Sequence, residues 1–178
     1  MKQSEFIQKY GNFAQAAAKG SGISPLIILS QAFLESGAGE SGLAKKFNNF
    51  FGIKADKNWQ GKKVNLKTQE FINGKFVIIL QPFRVYNSPS DSFADHIKFL
   101  KTNKRYAKAG LFTYPDNFAK QADTLQQAGY ATDPQYADKL KTLSSNFSKV
   151  LSLIKPAVKP AAAALPLILA FILANKFI

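Results

Sequence analysis

The sequence predicts an α+β domain, mainly α, in which a set of helices carries one inserted β-hairpin. Three observations support this. Several segments repeat apolar residues every three or four positions, two runs rich in Val, Ile and Phe flank an Asn-Gly dipeptide, and 46% of the 178 residues are hydrophobic. That length and apolar share suit one compact domain with a sizeable core and argue against disorder.

Taken in order, Phe6, Tyr10, Phe13 and Ala17 recur at helical spacing until "GSGIS" breaks the pattern, so a first helix is expected to end near Lys19. Ser24 followed by Pro25 is an N-cap with proline at the first helical position, and the apolar run from Leu26 to Leu34 continues to a stop at Gly37. The run is too short to cross a bilayer and reads as a buried central helix. Glu35, one of four glutamates in the chain, closes it. There the helix dipole disfavours a negative charge and apolar neighbours raise the cost of ionisation, so both effects push its pKa upward.

The segment "KKVNLKTQEFINGKFVIILQPFRVY" holds two strand-like runs around Asn73 and Gly74, a pair suited to a type I′ turn, and predicts the hairpin. Phe93, Ile97 and Leu100 mark a third helix. Phe118, Ala122 and Leu125 mark a fourth that stops by Gly129. A fifth, from Pro134 to about Ile154, places Tyr136, Leu140, Leu143, Phe147 and Val150 on one face. Five helices and a hairpin leave a cleft between the two parts, a natural place for a polymer.

Composition narrows the partners. Twenty-four Lys and Arg, of which 22 are Lys, against eleven Asp and Glu give a formal charge of +13, which suits a polyanion such as nucleic acid, a bacterial cell wall or an anionic membrane. Scarce arginine and the absence of zinc-finger or RNA-binding aromatic motifs argue against nucleic acid. With no cysteine there is no disulfide and no thiolate nucleophile. His96 is the only histidine and lies beside Asp95 on an amphipathic stretch, so it reads as structural. No metal and no cofactor are expected.

Three segments carry a resemblance: "LESGAGESGLAKKFNNFFGIKA", "TQEFINGKFVIILQPFRVYNSPSDSFADHIKFL" and "YATDPQYADKL". In this order and spacing, over about residues 4 to 147, they resemble the glucosaminidase family of peptidoglycan hydrolases, glycoside hydrolase family 73. The resemblance implies a lysozyme-like α+β fold with the hairpin as an inserted lobe. It also implies an endo-β-N-acetylglucosaminidase that cuts the β-1,4 bond after N-acetylglucosamine. Glu35 matches the family's essential acid, and the chemistry agrees, because the leaving glycosidic oxygen must be protonated as its bond breaks. Glu70, in "TQEF", matches the second carboxylate, a role the substrate's own 2-acetamido oxygen could share.

Tyr130 and Tyr136 match aromatic positions of the closing motif. Tyr130 is expected to face the catalytic centre, whereas Tyr136, on the apolar stripe of the fifth helix, reads first as a core residue and second as a substrate contact. Asn48, Asn49 and Phe51 match the loop after the acid, where the asparagines are expected to tie turns together and Asn49 and Phe51 to lie near substrate. Trp59, the only tryptophan, could stack on a sugar or cover the base of the hairpin. Glu40 reads as solvated. Ala38 departs from the resemblance, standing where many members carry tryptophan.

Residues 1–154 are thus expected to form the catalytic domain, 155–160 a Lys/Pro linker, and 161–178 a hydrophobic tail. The apolar run from Ala161 to Ala174 would reach about 21 Å as a helix, against a hydrocarbon core of about 30 Å, and Pro166 interrupts it. The tail is expected to anchor on a membrane or dock in a hydrophobic partner. "MKQSEFIQKYGNF" does not read as a signal peptide. Together the two segments suggest delivery to the periplasm or wall through a membrane hole, in a phage-like particle, or by tail insertion. Two other readings compete: a lytic transglycosylase or muramidase, and a non-catalytic wall-binding or membrane-active module.

Overall fold

The computed structural model describes residues 1–72 and 74–153, with Glu70, Phe71 and Ile72 described by their backbone. Among these residues seven helices and two strands follow one another. Residues 154–178, which include the expected linker and tail, lie outside the described residues, as does Asn73.

The first helix, α1 (Gln3–Ala18), starts where the Glu5 carboxylate accepts the backbone N–H of Lys2, and it buries Phe6, Ile7, Tyr10 and Ala14. Its partner α2 (Pro25–Glu35) begins as expected: the Ser24 hydroxyl accepts the N–H of Leu26 and Pro25 opens the first turn. Ile27, Ile28, Leu29, Ser30, Gln31 and Ala32 are all buried, so this helix is hidden almost all round rather than on one stripe. It packs against α1, α6 (Phe118–Gln127) and α7 (Tyr136–Leu151). Ser30 and Ser144 tie α2 to α7 through a buried hydroxyl pair 3.1 Å apart.

Two short helices add to the five expected. One, α3 (Gly42–Phe47), follows Glu35, with Ser41 capping Ala44 N–H at 3.1 Å and Asn48 ending it in the left-handed region at φ 52°. The other, α5 (Lys104–Lys108), follows α4 (Pro89–Thr102). Their apolar pattern runs for less than two turns, too short for periodicity to register.

Strands β1 (Lys63–Ile72) and β2 (Lys75–Arg84) pair antiparallel, from Lys63 opposite Arg84 to Ile72 opposite Lys75. Gly74 has φ +78°, as the expected tight turn requires. The hairpin is fastened at its base, where Ala55 N–H donates to Pro82 O and Arg84 N–H to Ile53 O. Farther out, Phe76, Ile78 and Leu80 are exposed, so the apolar runs that signal strands here do not become core.

The core sits between α1, α2, α4, α6 and α7 and is strongly aromatic. Phe6, Tyr10, Phe50 and Phe93 follow one another in ring contacts of 4.7 to 5.7 Å, and Phe33 joins Phe6 to Phe147. No helix among the described residues is long and apolar enough to cross a membrane.

Candidate active site

The chain makes an abrupt turn at the end of α2. Ser36 N–H bonds back to Ala32 O, its hydroxyl accepts Gly39 N–H at 2.7 Å, and Gly37, Ala38 and Gly39 follow with φ of +55°, +56° and +77°. At Gly39 a side chain would press on the rings of Phe6 and Tyr10, 3.4 Å from where its Cβ would lie. This knot holds Glu35 on the last helical turn and sends the following residues away from it.

Glu35 is open to solvent, yet its carboxyl is surrounded by enough protein that desolvation is the largest influence on it and raises its pKa. A hydrogen bond from the Tyr136 hydroxyl to Oε1, at 3.2 Å, opposes the rise by favouring the charged form. The carboxyl can therefore hold a proton above the ordinary glutamate range and still find support for the charge once the proton has gone.

Tyr136, expected first as a core residue, buries its ring on α7 and places its hydroxyl on the Glu35 carboxyl. Burial and the neighbouring Glu35 push its own pKa upward, so it stays a donor. Tyr130 stacks on Tyr136, with centroids 5.4 Å apart and planes 20° from parallel. Burial, together with Tyr136 and Glu35, holds the Tyr130 phenol well above its usual value. Its hydroxyl has no hydrogen-bond partner among the described residues, in contrast to that of Tyr136.

Asn49, Phe51 and Trp59, also expected at the site, are held by other contacts. Asn49 is 1% exposed, and its amide is committed to the backbone: it donates to Ile53 O and Arg84 O and accepts from Ile53 N–H. It straps the post-acid loop to the base of β2. Phe51 is buried and lies flat on the His96 ring, 3.8 Å away and 4° from parallel. Both residues expected near substrate thus occupy the interior. Trp59 is half-buried, donates from Nε1 to Lys62 O, and carries the Arg84 guanidinium over its ring at 4.4 Å. A Cβ at Gly61 would come within 2.4 Å of the indole, so glycine is required for this close approach. That placement is the base-covering one. Glu70 lies near the outer end of β1, its backbone opposite Val77. Glu40 is exposed and pairs with Lys45 and, at 3.5 Å, with the N-terminal amine.

One participant was missed. Gln31 sits one turn before Glu35 on α2, buried, with its amide nitrogen on the Tyr136 hydroxyl at 3.1 Å. A polar side chain within the apolar run from Leu26 to Leu34 was the available signal, since a buried amide must find partners.

A family model described as mannosyl-glycoprotein endo-beta-N-acetylglucosaminidase matches residues 11–149. The chain belongs to the glucosaminidase family. The FlgJ peptidoglycan hydrolase of Vibrio cholerae is 36% identical over 148 residues, 82% of this chain and 44% of that protein. A probable N-acetylmuramidase of Lactococcus lactis is 38% identical over 152 residues, 80% of this chain and 33% of its own length. The chain therefore spans less than half the length of these curated relatives. The catalytic domain of the autolysin Auto from Listeria monocytogenes superposes with a TM-score of 0.73 at 32% identity, covering 84% of this chain and 86% of that one. This glucosaminidase domain has the lysozyme-like fold, helical with a small two-stranded sheet.

Removing only the Tyr136 hydroxyl tests its part in the site. Tyr136→Phe is expected to slow glycan cleavage about tenfold, the loss that goes with one hydrogen bond to a charged group. It should also move the basic limb of the pH–rate profile upward, because the lost bond had favoured the carboxylate. An unmoved limb would assign Tyr136 to packing alone.

Proposed function

We propose that the domain is an endo-β-N-acetylglucosaminidase acting on peptidoglycan, with Glu35 as the general acid. The observation that carries this reading is a desolvated carboxyl of raised pKa at the end of a buried helix, hydrogen-bonded by Tyr136. Glu35 passes its proton to the glycosidic oxygen as the bond to the anomeric carbon breaks, and Tyr136 then stabilises the carboxylate left behind.

Tyr130, whose phenol stays protonated, is the nearby donor available to the sugar. Glu70 acts as the second carboxylate, activating water or supporting the positive charge at the anomeric centre. The charge of +13 favours a polyanionic wall. The name of the Lactococcus lactis relative supports a second reading, cleavage after N-acetylmuramic acid. Residues 161–178 address the enzyme to a membrane or hydrophobic partner; loss of wall activity in cells, with none in solution, on deleting residues 156–178 would support this.

Mass spectrometry of digested, borohydride-reduced peptidoglycan separates the readings. Glucosaminitol ends are the expected result and muramitol ends would favour the second reading. Anhydro-muramic ends would point to a transglycosylase, and no new ends would leave a binding module.

A further inference from the structure

A chain of hydrogen bonds runs from the interior to the acid. His96 on α4, fully buried, donates from Nε2 to Oε1 of Gln31 at 3.0 Å. Gln31 donates from its own Nε2 to the Tyr136 hydroxyl at 3.1 Å, and that hydroxyl donates to Oε1 of Glu35 at 3.2 Å. Three helices contribute, and every donor points toward the carboxylate.

Histidine is a costly side chain for this slot. Its ring lies on Phe51, with Phe99 at 6.5 Å and the edge of Tyr130 at 6.1 Å, and its Nδ1 is buried with no hydrogen-bond partner among the described residues. An unpaired buried polar atom lowers stability, and a phenylalanine would fill the same space without that cost. Burial also lowers the imidazole pKa to about 3, so the ring is neutral. What histidine supplies and phenylalanine cannot is the N–H directed at Gln31.

We propose that His96 is a positioning residue for the acid: by holding the Gln31 amide in one orientation, it makes the Tyr136 hydroxyl donate to Glu35. The reason lies in the two faces of an amide. With its oxygen held by His96, Gln31 can offer Tyr136 only N–H, so the hydroxyl must accept there and direct its own hydrogen at Glu35. Released from His96, the amide can turn over and present its oxygen, and the hydroxyl hydrogen then has a competing acceptor.

Among the described side chains, the titratable groups facing Glu35 are Tyr136 from α7 and Tyr130 from the loop before it. Behind Tyr130 stand Tyr106 and the guanidinium of Arg105 from α5, and α4 contributes His96. The aligned chain favours the carboxylate form, so breaking it raises the pKa of Glu35 and moves the basic limb of the pH–rate profile upward.

This inference rests on the acid role proposed above, and its test separates the two. With a soluble, un-cross-linked glycan strand as substrate, His96→Phe is expected to lower kcat several-fold with KM unchanged and to shift the basic limb upward by a few tenths of a pH unit. His96→Gln, which keeps an N–H at similar reach, is expected to restore both. A His96→Phe enzyme with wild-type kcat and limb, or a loss that His96→Gln does not rescue, would overturn the proposal. Nitrogen-15 NMR of the wild-type imidazole tests it without any variant: the Nε2–H tautomer, unchanged between pH 5 and 8, is expected, and the Nδ1–H tautomer would overturn it. A wild-type chain that cleaves no glycan would refute the hydrolase reading, and the tautomer would still decide the hydrogen-bond chain.

Discussion

Glu35→Gln is expected to lower the rate of glycan cleavage about 10²- to 10⁴-fold, the range over which a positioned general acid contributes. The amide matches the carboxyl in shape and can still accept the Tyr136 hydrogen bond, but it has no acid proton to give to the leaving oxygen. The folded state should gain from the same change. A carboxyl whose pKa rises on folding stabilises the native state below its unfolded pKa, near 4.5, and loses that contribution as pH rises through the higher folded value. Glu35→Gln is therefore expected to melt above the wild type at pH 8, with the difference vanishing by pH 3. Comparing initial rates of reducing-end release with circular-dichroism melts at the two pH values checks both halves. A variant that keeps wild-type activity would remove Glu35 from the chemistry.

Arg84→Met is expected to destabilise the domain by about 3 kcal/mol, the low end for a broken buried ion pair, and to lower Tm by about 10 °C. The Arg84 and Asp95 side chains are each 12% exposed, and Nη1 meets Oδ2 at 2.7 Å. Asp95 also accepts the Tyr86 hydroxyl at 2.7 Å, so removing the guanidinium leaves a nearly buried carboxylate with one neutral donor. The loss also unfastens the hairpin, because Arg84 Nε holds Lys54 O and its guanidinium covers Trp59. Asp56 makes the informative contrast. It touches the same guanidinium at 3.1 Å but is 58% exposed, and Asp56→Asn is expected to change stability by no more than about 0.5 kcal/mol. Thermal melts of the two variants should differ widely; equal shifts would mean that burial does not control this cluster.

Much of this architecture was legible because its signals are local. Ser24 with Pro25 announced the start of α2, the apolar run announced its burial, and Gly37 its end, so Glu35 could be placed on a last helical turn. The hairpin followed from two β-rich runs around one Asn-Gly pair. The exposure of Phe76, Ile78 and Leu80 could not be anticipated, because residue types that form strands are the same whether or not another layer covers them.

The amino-acid order was thus sufficient for the helix ends, the hairpin, the place of Glu35 on a last helical turn and, through three spaced motifs, the family, because capping, periodicity and turn chemistry act within a few residues of one another. The chain from His96 through Gln31 and Tyr136 to Glu35 needed the folded molecule. It joins positions 65 and 105 residues apart, and a hydrogen bond between them depends on distance and direction that no periodicity encodes. The same holds for Asn49 and Phe51: their motif placed them beside the acid in sequence, and packing against Arg84 and His96 turned them inward. Tyr136 joins the two kinds of information, since its apolar ring obeyed the helical stripe while its hydroxyl, at the ring's far end, found a partner 101 residues away.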